Sequence, residues 1–174
     1  MRVIGFAGWS GAGKTTLLSR LVPYLIEGGA RVSVVKHAHH AFDIDKPGKD
    51  SWIHRQAGAT DVLISSSGRW ALLHELRGEP EPPLVALLSK MSPVDYILIE
   101  GFKAERHPKI EIHRTANNKP LMFPNDPNIV AIASDIRPET TLPVFDLNDI
   151  PAIAEVVKAK AEDLGEFSAK YKVD

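Results

Sequence analysis

Apolar positions along the chain follow two rhythms. Short, nearly unbroken apolar runs lie within Arg2–Ala7, Arg31–Lys36, Asp95–Gly101 and Ile129–Ala133, the pattern of strands buried on both faces of a parallel sheet. Helical spacing takes over between them. Leu17, Leu18, Leu21, Val22 and Leu25 predict a helix over 14–27, stopped by Gly28-Gly29. A helix from Asp50 or Ser51 to about Ala57 follows, with Gly58 just beyond it. Two strands, 61–65 and 70–76, are joined by a turn at Ser66-Ser67-Gly68. The stretch Glu79-Pro80-Glu81-Pro82-Pro83 reads as a loop before a short helix over about 83–90. Shorter strands at 109–113 and 144–145, and an amphipathic helix over 150–164, complete the pattern. Residues 165–174 are mostly polar and are expected to fray. This alternation predicts one doubly wound α/β domain over 1–174, three layers with a mostly parallel central sheet, and a ligand at the carboxyl ends of its strands.

The first strand and helix enclose Gly8-Trp9-Ser10-Gly11-Ala12-Gly13-Lys14-Thr15-Thr16. Strand, glycine loop and helix in that order are the context of a phosphate-binding P-loop. Glycines let successive backbone N–H groups converge on an anion, and the helix start aims its own free N–H groups and dipole at the same place. Lys14 adds charge for the β- and γ-phosphates, and the Thr15 hydroxyl can join the coordination of Mg²⁺. The chain is therefore expected to bind a nucleoside triphosphate. Trp9 is unusual inside such a loop; it covers either the nucleotide or a neighbouring subunit.

Glu100 closes an apolar strand at the ligand edge, with Gly101 next. A carboxylate there holds Mg²⁺ directly or through water, or orients the attacking water. The polar loop after the second strand carries His37, His39 and His40 and then Asp45 and Lys49. Asp45 is a candidate for Mg²⁺ or its waters, Lys49 for phosphate, and the histidines read either as solvated side chains or as part of a metal site. Asn118-Lys119 resembles a guanine-reading motif, but Leu121 stands where its aspartate belongs. Asp135, after an apolar strand, reads as the acceptor for guanine N1 and N2 or as a helix cap before Pro138.

Composition narrows the partners. A formal net charge of −1 gives no electrostatic reason to expect nucleic acid or a membrane surface. With no cysteine, disulfides, thiolate zinc sites and cysteine nucleophiles are excluded. No apolar run approaches the roughly 20 residues of a membrane span. No signal peptide is read before the first strand, and a cytoplasmic location is expected.

Several of these segments, with Lys36-His37-x-x-His40-x-Phe42, Pro47-Gly48-Lys49-Asp50-Ser51, Ala57-Gly58-Ala59 and Ile99-Glu100-Gly101-Phe102-Lys103, resemble the MobB family over about residues 2–145. The resemblance implies a SIMIBI-like P-loop NTPase fold, the class that includes metallochaperone and signal-recognition GTPases. It implies a homodimer that binds GTP and Mg²⁺, hydrolyses GTP slowly at best, and associates with a MobA-type guanylyltransferase and with molybdopterin. By position it gives Gly8 to Thr16 to the triphosphate, Thr15 and Glu100 to Mg²⁺, and Asp45 with Lys49-Asp50-Ser51 to a responsive loop. Two other classes share Lys14 and Thr15. A small-molecule kinase would need an arginine lid, which Arg69, Arg77 and Arg106 do not form as a cluster; a metallochaperone-type GTPase would have only the histidines for metal.

Overall fold

The computed structural model describes residues 1–38 and 42–171. In chain order the elements begin with β1 (Arg2–Ala7), α1 (Lys14–Glu27), β2 (Val32–Lys36), α2 (Asp50–Gln56), β3 (Asp61–Ser65) and β4 (Trp70–His74). Next come α3 (Leu84–Leu88), β5 (Tyr96–Glu100), β6 (Lys109–His113), β7 (Ile129–Ser134) and β8 (Val144–Asp146). The chain closes with α4 (Ile150–Lys160), β9 (Glu162–Asp163) and α5 (Leu164–Ala169). They form two compact units: one gathers Met1–His37 and the chain from Leu84 onward, the other is Ala38–Pro83.

The larger unit is built on a sheet of order β2-β5-β1-β6-β7-β8, parallel throughout, to which β9 adds a short antiparallel pairing against the start of β1. Alternation along each strand sends side chains to opposite faces. On one face Ile4, Phe6, Leu98, Ile110 and Ile112 pack with Leu18, Leu21 and Leu25 of α1 and with Ile153 and Val157 of α4. On the other, Val3, Ile97 and Ile99 pack with Leu84 and Leu88 of α3 and with Phe167 of α5. Helix, sheet, helix makes three layers, and burial on both faces explains the unbroken apolar runs of β1, β5 and β7. β2, expected to be buried likewise, lies at the sheet edge and leaves Val34 44% exposed.

The smaller unit pairs β3 antiparallel with β4, Asp61 opposite His74 and Ser65 opposite Trp70. Its charged centre is Arg55 of α2, whose side chain is only 10% exposed. The guanidinium reaches Asp43 at 2.9 Å, Glu75 at 3.1 Å and Asp45 at 3.4 Å.

The strand expected over 70–76 ends at His74, the short helix spans Leu84–Leu88, and α2 is capped by Lys49 rather than by Asp50 or Ser51. The largest difference is at the end of the chain. The helix expected over 150–164 stops at Lys160, because Ala161 turns to extended backbone; β9 and α5 then follow. Phe167, inside the stretch read as a polar tail, is fully buried.

Candidate functional site

β1 delivers the glycine loop, and α1 starts directly after it. Gly13 caps that helix at φ 93°, ψ 17°, a left-handed conformation, and a β-carbon there would stand 2.8 Å from Nε of Arg114. Lys14 folds back on the loop, its ammonium donating to the carbonyls of Gly8 at 2.9 Å and Trp9 at 3.0 Å. Partial burial pulls its pKa below the usual lysine value. Glu100 works against that shift, and the positive charges of Lys103 and Lys36 add to it.

Glu100 ends β5 beside β1, with Phe6 opposite it in register. Its carboxylate accepts a hydrogen bond from the Thr15 hydroxyl at 3.1 Å and lies 3.4 Å from the Lys36 ammonium. Lys36 is opposite Glu100 in the β2–β5 register. Parallel pairing thus brings the last residue of one strand and the last of its neighbour to the head of α1. The hydroxyl and carboxylate oxygens are hard donors of the kind Mg²⁺ takes, so the residues present fit that ion.

The segment after β6 braces the loop from outside. Asn117 donates to the carbonyl of Ser10 at 2.9 Å, and the Trp9 indole N–H donates to the carbonyl of Pro120 at 2.8 Å. Lys103 Nζ lies 4.8 Å from the centre of the Trp9 ring. Ala12 is buried, whereas Ser10, Gly11, Thr15 and Thr16 are exposed.

A model of the molybdopterin guanine dinucleotide synthesis protein B family matches residues 3–135. The chain belongs to the MobB family. It is 43% identical over 158 residues to the molybdopterin-guanine dinucleotide biosynthesis adapter protein of Escherichia coli K12, covering 89% of this chain and 90% of that one. The adapter protein of the same description from Haemophilus influenzae is 41% identical over 160 residues, covering 90% and 87%. The X-ray structure of a MobB protein homolog from Bacillus stearothermophilus superposes with a TM-score of 0.67 at 26% identity, covering 91% of this chain and 99% of that one. The mostly parallel sheet flanked by helices is the P-loop NTPase fold.

The other residues singled out in this MobB-family sequence fall in two places. Asp135 follows β7 and is exposed. Its two oxygens accept from the Thr115 backbone N–H at 2.9 and 3.1 Å, and one also accepts from the Thr115 hydroxyl at 3.0 Å. The Thr115 N–H holds its carboxyl below the usual range. Asp45 and Lys49 belong to the smaller unit. Asp45 accepts from Ser51 Oγ at 2.8 Å and from the Lys46 N–H at 3.0 Å, and it is paired with Arg55. Lys49 is exposed and caps α2 through its backbone. His37 packs its ring against Phe102, centroids 4.8 Å apart. His39 and His40 lie outside the described residues, and among the described residues no group of three or more His, Asp or Glu side chains is placed to hold a metal ion.

Sequence reading named the loop, Lys14, Thr15 and Glu100 but missed their supports. Lys36 was legible in principle, as a cation ending an apolar strand just as Glu100 does. Asn117 and Arg114 carry no such signal, because their roles depend on where β6 delivers the chain.

Proposed function

We propose that this chain is a GTP-binding adaptor in molybdenum cofactor maturation, assisting a MobA-type guanylyltransferase in forming molybdopterin guanine dinucleotide. The observation that carries the reading is the meeting of Lys14, Thr15 and Glu100 at the head of α1, at the carboxyl ends of β1 and β5. Gly8, Trp9, Ser10, Gly11, Ala12, Gly13, Lys14, Thr15 and Thr16 hold the triphosphate, and Thr15 and Glu100 face Mg²⁺. Bound there, Mg²⁺ neutralises phosphate charge. The names of the relatives as biosynthesis adapters support the pathway and a protein partner. Asp45 and Lys49 form the nucleotide-responsive loop, and Asp135 reads guanine with the lone pairs that Thr115 leaves open. The chain works as a homodimer of single GTP-binding domains, with slow hydrolysis at most. Among the described residues no helix is long and apolar enough to cross a membrane.

Calorimetry with GTP and ATP in the presence of Mg²⁺, with and without the guanylyltransferase, tests the reading. Selective GTP binding and a stable complex are expected. A preference for ATP with no partner binding overturns it and points to a small-molecule kinase.

A further inference from the structure

Glu100, Arg114 and Asp135 form a row across the carboxyl edge of the sheet, and strand alternation sets it. Leu98, Ile110, Ile112, Ala131 and Ala133 all belong to the core on the α1 face. Glu100, Arg114 and Asp135 stand two residues beyond Leu98, Ile112 and Ala133, so they emerge on that same face at the head of the helix. The backbone at Arg114 stays extended, φ −130° and ψ 130°, which carries the alternation one residue past β6. The order β5-β1-β6-β7 then sets out an acid, the P-loop, a guanidinium and a second acid.

Arg114 is held in place from two sides. Thr115, the next residue, is fastened to Asp135 by both its N–H and its hydroxyl. The half-buried Arg114 side chain lies against Gly13, where a β-carbon would stand 2.8 Å from Nε and 3.5 Å from Nη2. Among the described residues no carboxylate pairs with this guanidinium, whereas that of Arg55 is ringed by three. A guanidinium without an acid partner is a flat, weakly hydrated cation, suited to stacking on a ring.

The row also gives a bound nucleotide its direction. Mg²⁺ bridges the β- and γ-phosphates, and the residues that fit it, Thr15 and Glu100, stand on the β5 side of β1. With the γ end there, the phosphates cross the head of α1 and the nucleoside leaves towards β6 and β7, where the row continues with Arg114 and Asp135. We infer that the Arg114 guanidinium is the platform on which the purine base stacks, leaving the phosphates to the P-loop and the base edge to Asp135. This rests on the functional reading above, which supplies the nucleotide; the row supplies the seat of its base.

The test is calorimetry of the full chain with GTP and Mg²⁺, with inorganic tripolyphosphate measured by its competition against GTP. Arg114→Ala is expected to weaken GTP about tenfold and leave tripolyphosphate unchanged, since only the base loses a contact. Arg114→Lys keeps the charge but not the plane, and should bind GTP about as weakly as the alanine variant. A fall in tripolyphosphate affinity equal to that for GTP overturns the inference, because it marks a phosphate contact or a brace of the loop. So does GTP affinity that survives Arg114→Ala or is restored by lysine. A parent chain that fails to bind GTP, or whose GTP tripolyphosphate cannot displace, defeats the functional reading instead, so the two failures are told apart.

Discussion

Lys14 rests against its own loop, bonded to two carbonyls that no phosphate would need. Its charge can therefore be removed without exposing a buried partner. Lys14→Ala is expected to abolish measurable GTP binding while thermal unfolding stays within a few degrees of the parent; normal affinity would remove the P-loop assignment. His107 is the opposite case. It is fully buried against Gly5 and edge-on to Phe167, and neither ring nitrogen has a hydrogen-bond partner among the described residues. Burial, reinforced by neighbouring Lys109, pulls its pKa from 6.5 down to about 3, against an opposing pull from Asp126. Between those values the unfolded chain holds the proton and the folded chain does not, so stability rises with pH there. It is fully kept above about pH 6.5 and reduced by about 2 kcal/mol at pH 5. Urea unfolding at pH 7 and pH 5 should show that difference in the parent and a smaller one in His107→Leu. Residues such as Lys14 and Thr15 were legible because the motif and its spacing are local. His107 was not, since nothing in the sequence says which histidine a sheet will enclose.

β1 shows how tightly an element can constrain its members. A β-carbon at position 5 would overlap Nε2 of His107 and stand 3.0 Å from Cγ of Lys109. Gly5→Ala is therefore an overpacking change in the middle of a central strand, expected to destabilise by about 1–3 kcal/mol in chemical unfolding. The double change Gly5→Ala with His107→Ala should recover part of that loss; an additive result would mean the clash is relieved elsewhere. The strands and α1 were legible because each repeats its apolar spacing over several residues. The end of the chain was not. β9 is two residues long, and α5 offers only Leu164 and Phe167 as apolar anchors, too few to set a period. Its docking on Val3, Leu84 and Ile99 is a tertiary fact.

At the scale of the molecule, the proline-rich stretch ending at Pro83 marks one boundary of the smaller unit, whose side chains converge on Arg55. No single stretch announces that convergence, because Asp43 and Asp45 come from the loop before α2 and Glu75 from just beyond β4, and only the fold brings them to Arg55. If the chain is a homodimer, light scattering during gel filtration should give twice the mass of one chain at micromolar concentration, and a monomer mass would withdraw that part of the proposal. The contact between Gly5 and His107 reaches further than stability. Positions 102 residues apart in the sequence share one small volume, so neither can drift alone. As MobB-family chains diverge, an imidazole at 107 should travel with glycine at 5, and alanine at 5 should be found only where 107 has become small. The larger unit thereby carries a pair of sites that inheritance must change together or leave untouched.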